Sequence, residues 1–458
     1  MTNRIVTVNE SQTVAPTPNA LQRTGAFVSQ GGTTNAAQTL TYITQVSDLT
    51  SILSTPKTIS SLAWATGTVT VTATAAHNLT VGQQYNVTIS GAAPTAYNGT
   101  YVVTPTTTTA FTYSLTTNPG TATSMGTWTP ASTTELTQMA TTFFANGSSI
   151  GIYVLELGVD TVTNSVAALS TFLSNNPQTI YVFLIPRAWD ANAAFLALAL
   201  ANNGMSAEVY FWVTTTNLTY SQYGNTRKSV FAMIESPNAA ATEFSLAAAL
   251  YHALNTNPSS TNRVAPLAFR YLYGVTAYPT SGNGTKMAAW KAAGINWVQT
   301  GSEGGITNTC LYWGTYTDGR PWNYWYSVDW SQINVDLNVS NAVINGSNNQ
   351  INPLALNPDG IARLQAVAAA TMSSAVTFGL ALGRVIQTSL NQVDFAAALD
   401  ANAFAGSVVI NAVPFTDYYR ANQGDYKIGV YNGFSVTYTP LRGFDSITFN
   451  VDVTDFVA

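Results

Sequence analysis

Between Ile150 and Gln299 the chain repeats one unit, a short run of nearly continuous apolar residues followed by an amphipathic stretch. Ile150-Gly-Ile-Tyr-Val-Leu-Glu-Leu157, Thr179–Ile185, Ala207–Val213, Ser229–Ile234 and Ile295–Gln299 read as strands. Ser165–Asn175, Asp190–Asn202, Glu243–Leu254 and Lys286–Ala293 read as helices between them, the first carrying Val166, Leu169, Phe172 and Leu173 on one face. A strand that is apolar on both sides must be covered on both sides, so this pattern predicts a sheet between helical layers. The units are too few for a closed eight-fold α/β barrel.

Upstream the character changes abruptly. No Lys, Arg, Asp or Glu occurs between Lys57 and Glu135. Thr68–Thr72, Gln84–Ile89, Gly99–Thr104 and Ala110–Leu115 read as short strands, with turn chemistry at Asn98-Gly99 and Asn118-Pro119-Gly120. Their spacing predicts a small β-sandwich. His77-Asn-Leu79, Val81-Gly82, Ile89-Ser-Gly91 and Tyr97-Asn-Gly-Thr100 resemble a small immunoglobulin-like module common in phage virion proteins. Helical signals flank it. Ser47 or Asp48 can cap a short helix before it, and Ser132-Thr-Thr-Glu135 has the form of a capping box opening Leu136–Phe144. The module is therefore expected to be inserted in a loop of another domain, where its adjacent ends cost little.

Downstream, Thr309–Val339 is crowded with Tyr312, Trp313, Tyr316, Trp322, Tyr324, Trp325, Tyr326 and Trp330, and reads as two strand-like halves about an Asp318-Gly319 turn. Asn357-Pro-Asp-Gly360 opens a long helix through about Leu382, and Asn391–Asn402 is a further helical candidate. The chain then reads as β: Tyr426–Tyr431, Phe434–Thr439 across Asn432-Gly433, and a last strand. In that last stretch Ile447, Phe449, Val451 and Val453 alternate with Thr448, Asn450, Asp452 and Thr454, the pattern of a half-buried strand. A terminal strand needs an edge, in its own domain or in a neighbour. Arg4-Ile5-Val6-Thr-Val8 alternates at the other terminus, ahead of a stretch punctuated by Pro16, Pro18 and Gly31-Gly32.

Charged residues are 8% of the chain and the net charge is −5, against about 25% charged residues in an ordinary domain. Such a weakly charged surface favours packing against other protein, and offers no basic footprint for nucleic acid or membrane. Cys310 is the only cysteine, which excludes an intrachain disulfide. The N-terminus lacks an apolar core of signal-peptide length, and the Ala-rich Ile361–Leu382 is broken by Arg363, Gln365 and Gly379, so assembly in the cytosol without membrane insertion is expected. The two histidines, His77 and His252, have no metal-ligand spacing and read as structural. Glu156, Glu208, Glu235 and Glu303 are the carboxylates a glycosidase would draw on, with the 312–330 aromatics to stack sugars, yet they share no predicted face. Each reads instead as a strand-end or loop surface group, and the aromatics as a core and interface stripe. Gly301-Ser-Glu-Gly-Gly305 lacks the lysine and context of a phosphate loop. No catalytic residue, cofactor or metal is expected.

Tyr42…Val46-Ser-Asp48-Leu, then Glu135-Leu-Thr-Gln-Met-Ala…Phe143-Phe144-Ala, then Ile152-Tyr-Val-Leu-Glu156-Leu, resemble in their order the opening of contractile phage tail sheath proteins. Gly424-Asp-Tyr426, Pro440-Leu-Arg442 and the alternating last strand agree. The resemblance implies a virion structural subunit, assembled in the host cytoplasm as stacked hexameric rings around a tail tube. Its partners would be further copies, the tube protein, and baseplate and tail terminator proteins. Terminal strands passed between subunits would form a mesh that survives contraction and ejection, with Arg4, Ile5, Val6, Val8, Ile447, Phe449, Val451 and Val453 as the inter-subunit arm residues. The expected fold class is α+β and multidomain: an N-terminal arm over 1–35, an α/β core with a mixed sheet covered by helices over 36–57 plus 131–356, the inserted β-sandwich over 58–130, a helical and β assembly domain over 357–444, and a donated strand over 445–458. The alternatives are a tail-associated carbohydrate-binding or glycan-cleaving protein, and a baseplate or capsid structural protein.

Overall fold

The main sheet is built around β1 (Gly25–Ser29), every residue of which is buried. The computed structural model describes residues 21–204, 208–226, 228–257, 264–278, 283–300, 308–381 and 408–441. The strand at 25–29 corrects the expected arm over 1–35. Its five residues are too few to display a period among turn residues, yet Ala26 and Val28 enter one core and Phe27 the other.

The remaining sheet strands are β2 (Thr39–Ile43), β9 (Ile152–Glu156), β10 (Val182–Leu184), β11 (Tyr210–Thr215), β12 (Val230–Ile234), β13 (Asn296–Thr300) and β14 (Thr309–Tyr312). They form an eight-stranded sheet in the order β14-β13-β12-β11-β10-β1-β9-β2. β9, β1 and β10 through β13 run parallel, and β2 and β14 close the edges antiparallel. Alternation along each strand feeds two apolar layers. Tyr210 and Trp212 pack beneath α1 (Val46–Thr50), α2 (Ala131–Ala145), α5 (Ser245–Leu254) and α7 (Trp322–Ser347). Phe211 and Val213 pack beneath α3 (Val162–Asn175), α4 (Ala193–Ala201) and α6 (Gly284–Ala292). The expected sheet between helical layers is thus observed, at close to the expected boundaries.

Residues 57–130 form β3 (Lys57–Ala65), β4 (Thr68–Ala73), β5 (Tyr85–Ala93), β6 (Gly99–Pro105), β7 (Ala110–Ser114) and β8 (Ser124–Pro130), closed as a barrel in the order β3-β4-β7-β6-β5-β8. This corrects the expected sandwich. The closing strands are the two that periodicity concealed: β3 is bulged between Ile59 and Ser61, and β8 is held by Trp128 and Pro130 in a Gly/Thr/Ser-rich run. Lys57 pairs with Trp128, so entry and exit of the barrel are adjacent. Closure removes the open edges that a sandwich would have to protect.

The capping box at Ser132–Glu135 is not formed. α2 begins at Ala131, behind Pro130 and two residues before a Ser132 cap would start it; the Ser132 hydroxyl instead accepts from the Gln30 N–H at 2.9 Å, and Glu135 lies beside Arg187. Asp48 likewise lies inside α1, reaching back to the Thr44 N–H and hydroxyl at 2.9 and 2.8 Å.

The aromatic stretch departs furthest from expectation. After β14 a tight turn at Tyr316–Gly319 leads into α7, 26 residues long, and not into a second strand. Trp322, Trp325, Tyr326, Trp330 and Ile333 follow helical spacing and are all buried, so burial of this stripe outweighs the strand preference of aromatic residues. α8 (Pro358–Thr377) starts where expected, with Asn357 accepting from the Gly360 N–H at 2.8 Å. β15 (Val408–Ala412), α9 (Phe415–Ala421), α10 (Gln423–Lys427) and β16 (Phe434–Tyr438) complete the described chain. α10 and the turn after it replace the strand expected over 426–431, and β16 pairs instead with β15. The helix expected over 391–402 lies outside the described residues.

Candidate assembly surface

α7, α8 and the β15–β16 pair form a unit of their own chemistry. β15 and β16 make a two-stranded antiparallel sheet, with Ile410 opposite Val436 and Ala412 opposite Phe434. The Val413 N–H donates to the Gly433 carbonyl at 3.0 Å. Antiparallel pairs alternate between bonded and unbonded, so Asn411–Ser435 and Val409–Thr437 are the bonded pairs in the same phase. Val408, Ile410 and Ala412 on β15, and Phe434, Val436 and Tyr438 on β16, therefore turn their backbone groups away from the partner strand. On β15 the Gln365 amide of α8 already donates to the Ile410 carbonyl at 3.1 Å. Among the described residues no strand pairs with the outer edge of β16. A groove of about 450 Å³ lies beside it, lined by Val335 and Val339 of α7, Met372 of α8, and Phe434, Val436 and Tyr438.

Both ends of the described chain meet this unit on one turn of α7. Leu21 is buried, and the Gln22 amide donates to the Tyr326 carbonyl at 2.8 Å. At the other end Asn323 donates to the Leu441 carbonyl at 3.1 Å, and the Leu441 N–H to the Leu380 carbonyl at 2.9 Å. Residues 1–20 and 442–458 thus depart from neighbouring points. The expected arm residues Arg4, Ile5, Val6, Val8, Ile447, Phe449, Val451 and Val453 all lie outside the described residues.

α7 is fixed to the main sheet by a buried acid. Asp329 accepts from the Tyr181 hydroxyl of the β10 approach at 2.7 Å and from the Tyr210 hydroxyl of β11 at 2.5 Å. Burial pushes its carboxyl up to about 6, against the pull of Lys228 and the two tyrosine bonds. Glu208 is pushed up to about 7, chiefly by burial and then by the Asp329 charge, with Lys228 opposing. Burial in turn lowers Lys228. None of this was legible as a cluster, because Tyr181, Tyr210 and Asp329 come from three distant stretches.

The three described glycosidase candidates, Glu156, Glu208 and Glu235, do not converge. Glu156 is buried and fully engaged at the end of β9, not a surface group. Glu208 sits on the α7 side of the sheet with Gln178. Glu235 pairs with Arg187 at 2.8 Å, and Glu303 lies outside the described residues. The sequence reading missed Glu135, whose carboxylate lies 3.8 Å from the same Arg187 and is pushed up to about 6 by burial, Arg187 opposing. Arg187 also donates to Gln138 at 2.6 Å and to the Glu243 carbonyl at 3.0 Å, so both carboxylates serve a structural node joining α2, β12 and α5. His77 is buried in the barrel with its Nδ1 accepting from the Leu79 N–H at 3.0 Å. His252 is held down to about 4, first by burial and then by Arg270. Among the described residues there is no metal-binding cluster, and no helix is long and apolar enough to cross a membrane. Trp322, Trp325, Tyr326 and Trp330 are core, as the stripe reading expects, and unavailable to stack a sugar.

The sequence matches no family model and no curated protein. Its architecture does match solved structures. The helical sheath of the anti-feeding prophage in its contracted state aligns over 98% of this chain and 99% of its own, at 12% identity and a TM-score of 0.51. The fold is that of a tail sheath protein. Two further similarities are a contracted-state baseplate chain of the same prophage, at 11% identity and a TM-score of 0.48 over 99% and 98% of the two chains, and the sheath tail protein Lin1278 from Listeria innocua, at 9% identity and 0.43 over 86% and 91%. The sheath fold here carries the 57–130 barrel between α1 and α2.

Proposed function

We propose that the chain is the sheath subunit of a contractile phage tail. It polymerises as stacked hexameric rings around a tail tube, and its contraction drives the tube through the host envelope. The observation that carries this reading is the sheath fold extending over almost the whole of both chains. The α7–α8–β15–β16 unit supplies a mechanism. A neighbour's segment 445–458 would add to the outer edge of β16, forming backbone hydrogen bonds while Ile447, Phe449, Val451 and Val453 enter the adjoining groove. The 1–20 segment would serve a second neighbour from the same root on α7. Contraction then changes the packing of subunits while strand pairing persists, driven by energy held in the extended lattice and with no nucleotide or enzymatic step. The subunit would be assembled in the host cytoplasm, reside in the virion tail, and contact tube, baseplate and terminator proteins. We assign 21–56 with 131–321 to the core, 57–130 to an outward barrel and 322–441 to assembly. Negative-stain microscopy of the purified full chain tests this reading. Striated tubes or rings are expected, and a uniform population of compact monomers would contradict it.

A further inference from the structure

The central sheet contains the order β9-β1-β10-β11-β12, in which the chain leaves β1 to one side and returns past it to the other. Open α/β sheets of this order take their ligands at the carboxyl ends of the strands where the direction reverses, commonly on a glycine-containing loop that turns its N–H groups toward a phosphate. Here that loop is Ser29-Gln-Gly-Gly-Thr33, immediately after β1.

The loop has the geometry of an anion cradle, and it is full. The Glu156 carboxylate, from the end of neighbouring β9, accepts on one oxygen from the N–H groups of Gly31 and Gly158, both at 2.7 Å. The other oxygen accepts from the Ser29 hydroxyl at 2.7 Å, the Thr33 hydroxyl at 2.7 Å and the Thr33 N–H at 3.0 Å. All five donors converge on one side chain that is 1% exposed, with no cation among them. Gly31 is required by the shape: its φ is +75°, and a Cβ there would collide with the Val159 side chain. The same loop carries the barrel's entry, since Ser54 donates to the Gly31 and Thr33 carbonyls at 2.8 and 2.9 Å.

We propose that the Ser29–Thr33 loop is a binding site for a small carboxylate anion, occupied in cis by Glu156. The side chain stands where an α/β protein of this order would hold its ligand. Its occupancy both closes that site and fixes the point at which the barrel leaves the core. The inference rests on the loop alone and stands or falls independently of the sheath reading.

Removing the carboxylate should open the site to an external one. Full-length Glu156→Ala is melted in rising sodium formate, with sodium chloride at matched ionic strength as control. The expected result is a lowered unfolding midpoint that formate, and not chloride, restores saturably. Wild type and Glu156→Gln, whose site is filled, should show no formate-specific shift. Equal response to formate and chloride in Glu156→Ala, or a midpoint equal to wild type, would overturn the proposal. If Glu156→Ala does not fold, Thr33→Val decides in its place: it should lower the midpoint of wild type and have a much smaller effect in the Glu156→Gln background. Equal effects in both would overturn the proposal.

Discussion

At the scale of single residues, several carboxylates are buried against defined partners. Asp329 is the clearest case. Its carboxyl is raised from an ordinary 3.8 to about 6, and Glu208 and Glu135 from 4.5 to about 7 and about 6, in each case first by burial. The sign follows from linkage: the folded chain holds these protons more tightly than the unfolded chain. Their contribution to stability is full below the ordinary carboxylate range and is lost as pH rises through about 6 to 7. Urea unfolding should therefore give lower stability at about pH 8 than at about pH 5. Asp329→Asn, which keeps an acceptor for Tyr181 and Tyr210, should reduce that difference; an unchanged difference would remove Asp329 from the account. Almost none of this was readable beforehand. A lone Asp in an aromatic run and two tyrosines in separate strands carry no local signal of meeting. Glu156 misled for a related reason, because its position at a strand end says nothing about the donors that the folded 29–33 loop would bring to it.

At the scale of elements, legibility followed the strength of the period. The runs around β9 to β13 and the Asn-Pro-Asp-Gly start of α8 were readable because burial on both faces and capping chemistry leave strong local marks. The five residues of β1 were too short to mark themselves, although they occupy the middle of the sheet. From Trp322 to Ile333 aromatic enrichment favours strand, whereas the packing of α7 obeys the helical spacing of the same residues. The β15–β16 ladder makes a sharp prediction by its phase. Val436→Pro removes an outward N–H and spares the pair's own ladder. It should leave far-ultraviolet circular dichroism and the melting midpoint near wild type while abolishing polymerisation. Thr437→Pro breaks the inner ladder and should lower the midpoint. Tubes formed by Val436→Pro would exclude the β16 edge as the acceptor. The barrel yields a second prediction. Because Lys57 and Trp128 are paired neighbours, replacing 58–127 by a short Gly/Ser linker should leave a folded core that still assembles, checked by circular dichroism and microscopy. Loss of assembly in that folded variant would place the barrel in the subunit contact.

At the scale of the whole molecule, a weakly charged sequence, a sheath fold and a β16 edge that no described strand pairs, beside an apolar groove, all fit the proposed assembly. The two terminal segments leave from Gln22 and Leu441, which are tied to Tyr326 and Asn323 of the same helix. A load applied to either arm would reach α7, and through Asp329 the main sheet. On the proposed function, subunits would rotate against each other while their strands stayed paired. The alternation at the two termini lies outside the described residues; the closeness on α7 of Gln22 and Leu441 was not legible, since it depends on how α7 folds. The most direct measurement is electron microscopy, paired with sedimentation, of the full chain beside a chain lacking 445–458. The account predicts tubes or stacked rings from the full chain, and from the truncated chain a folded monomer with unchanged circular dichroism and no tubes. Tubes of normal length from the truncated chain would contradict it.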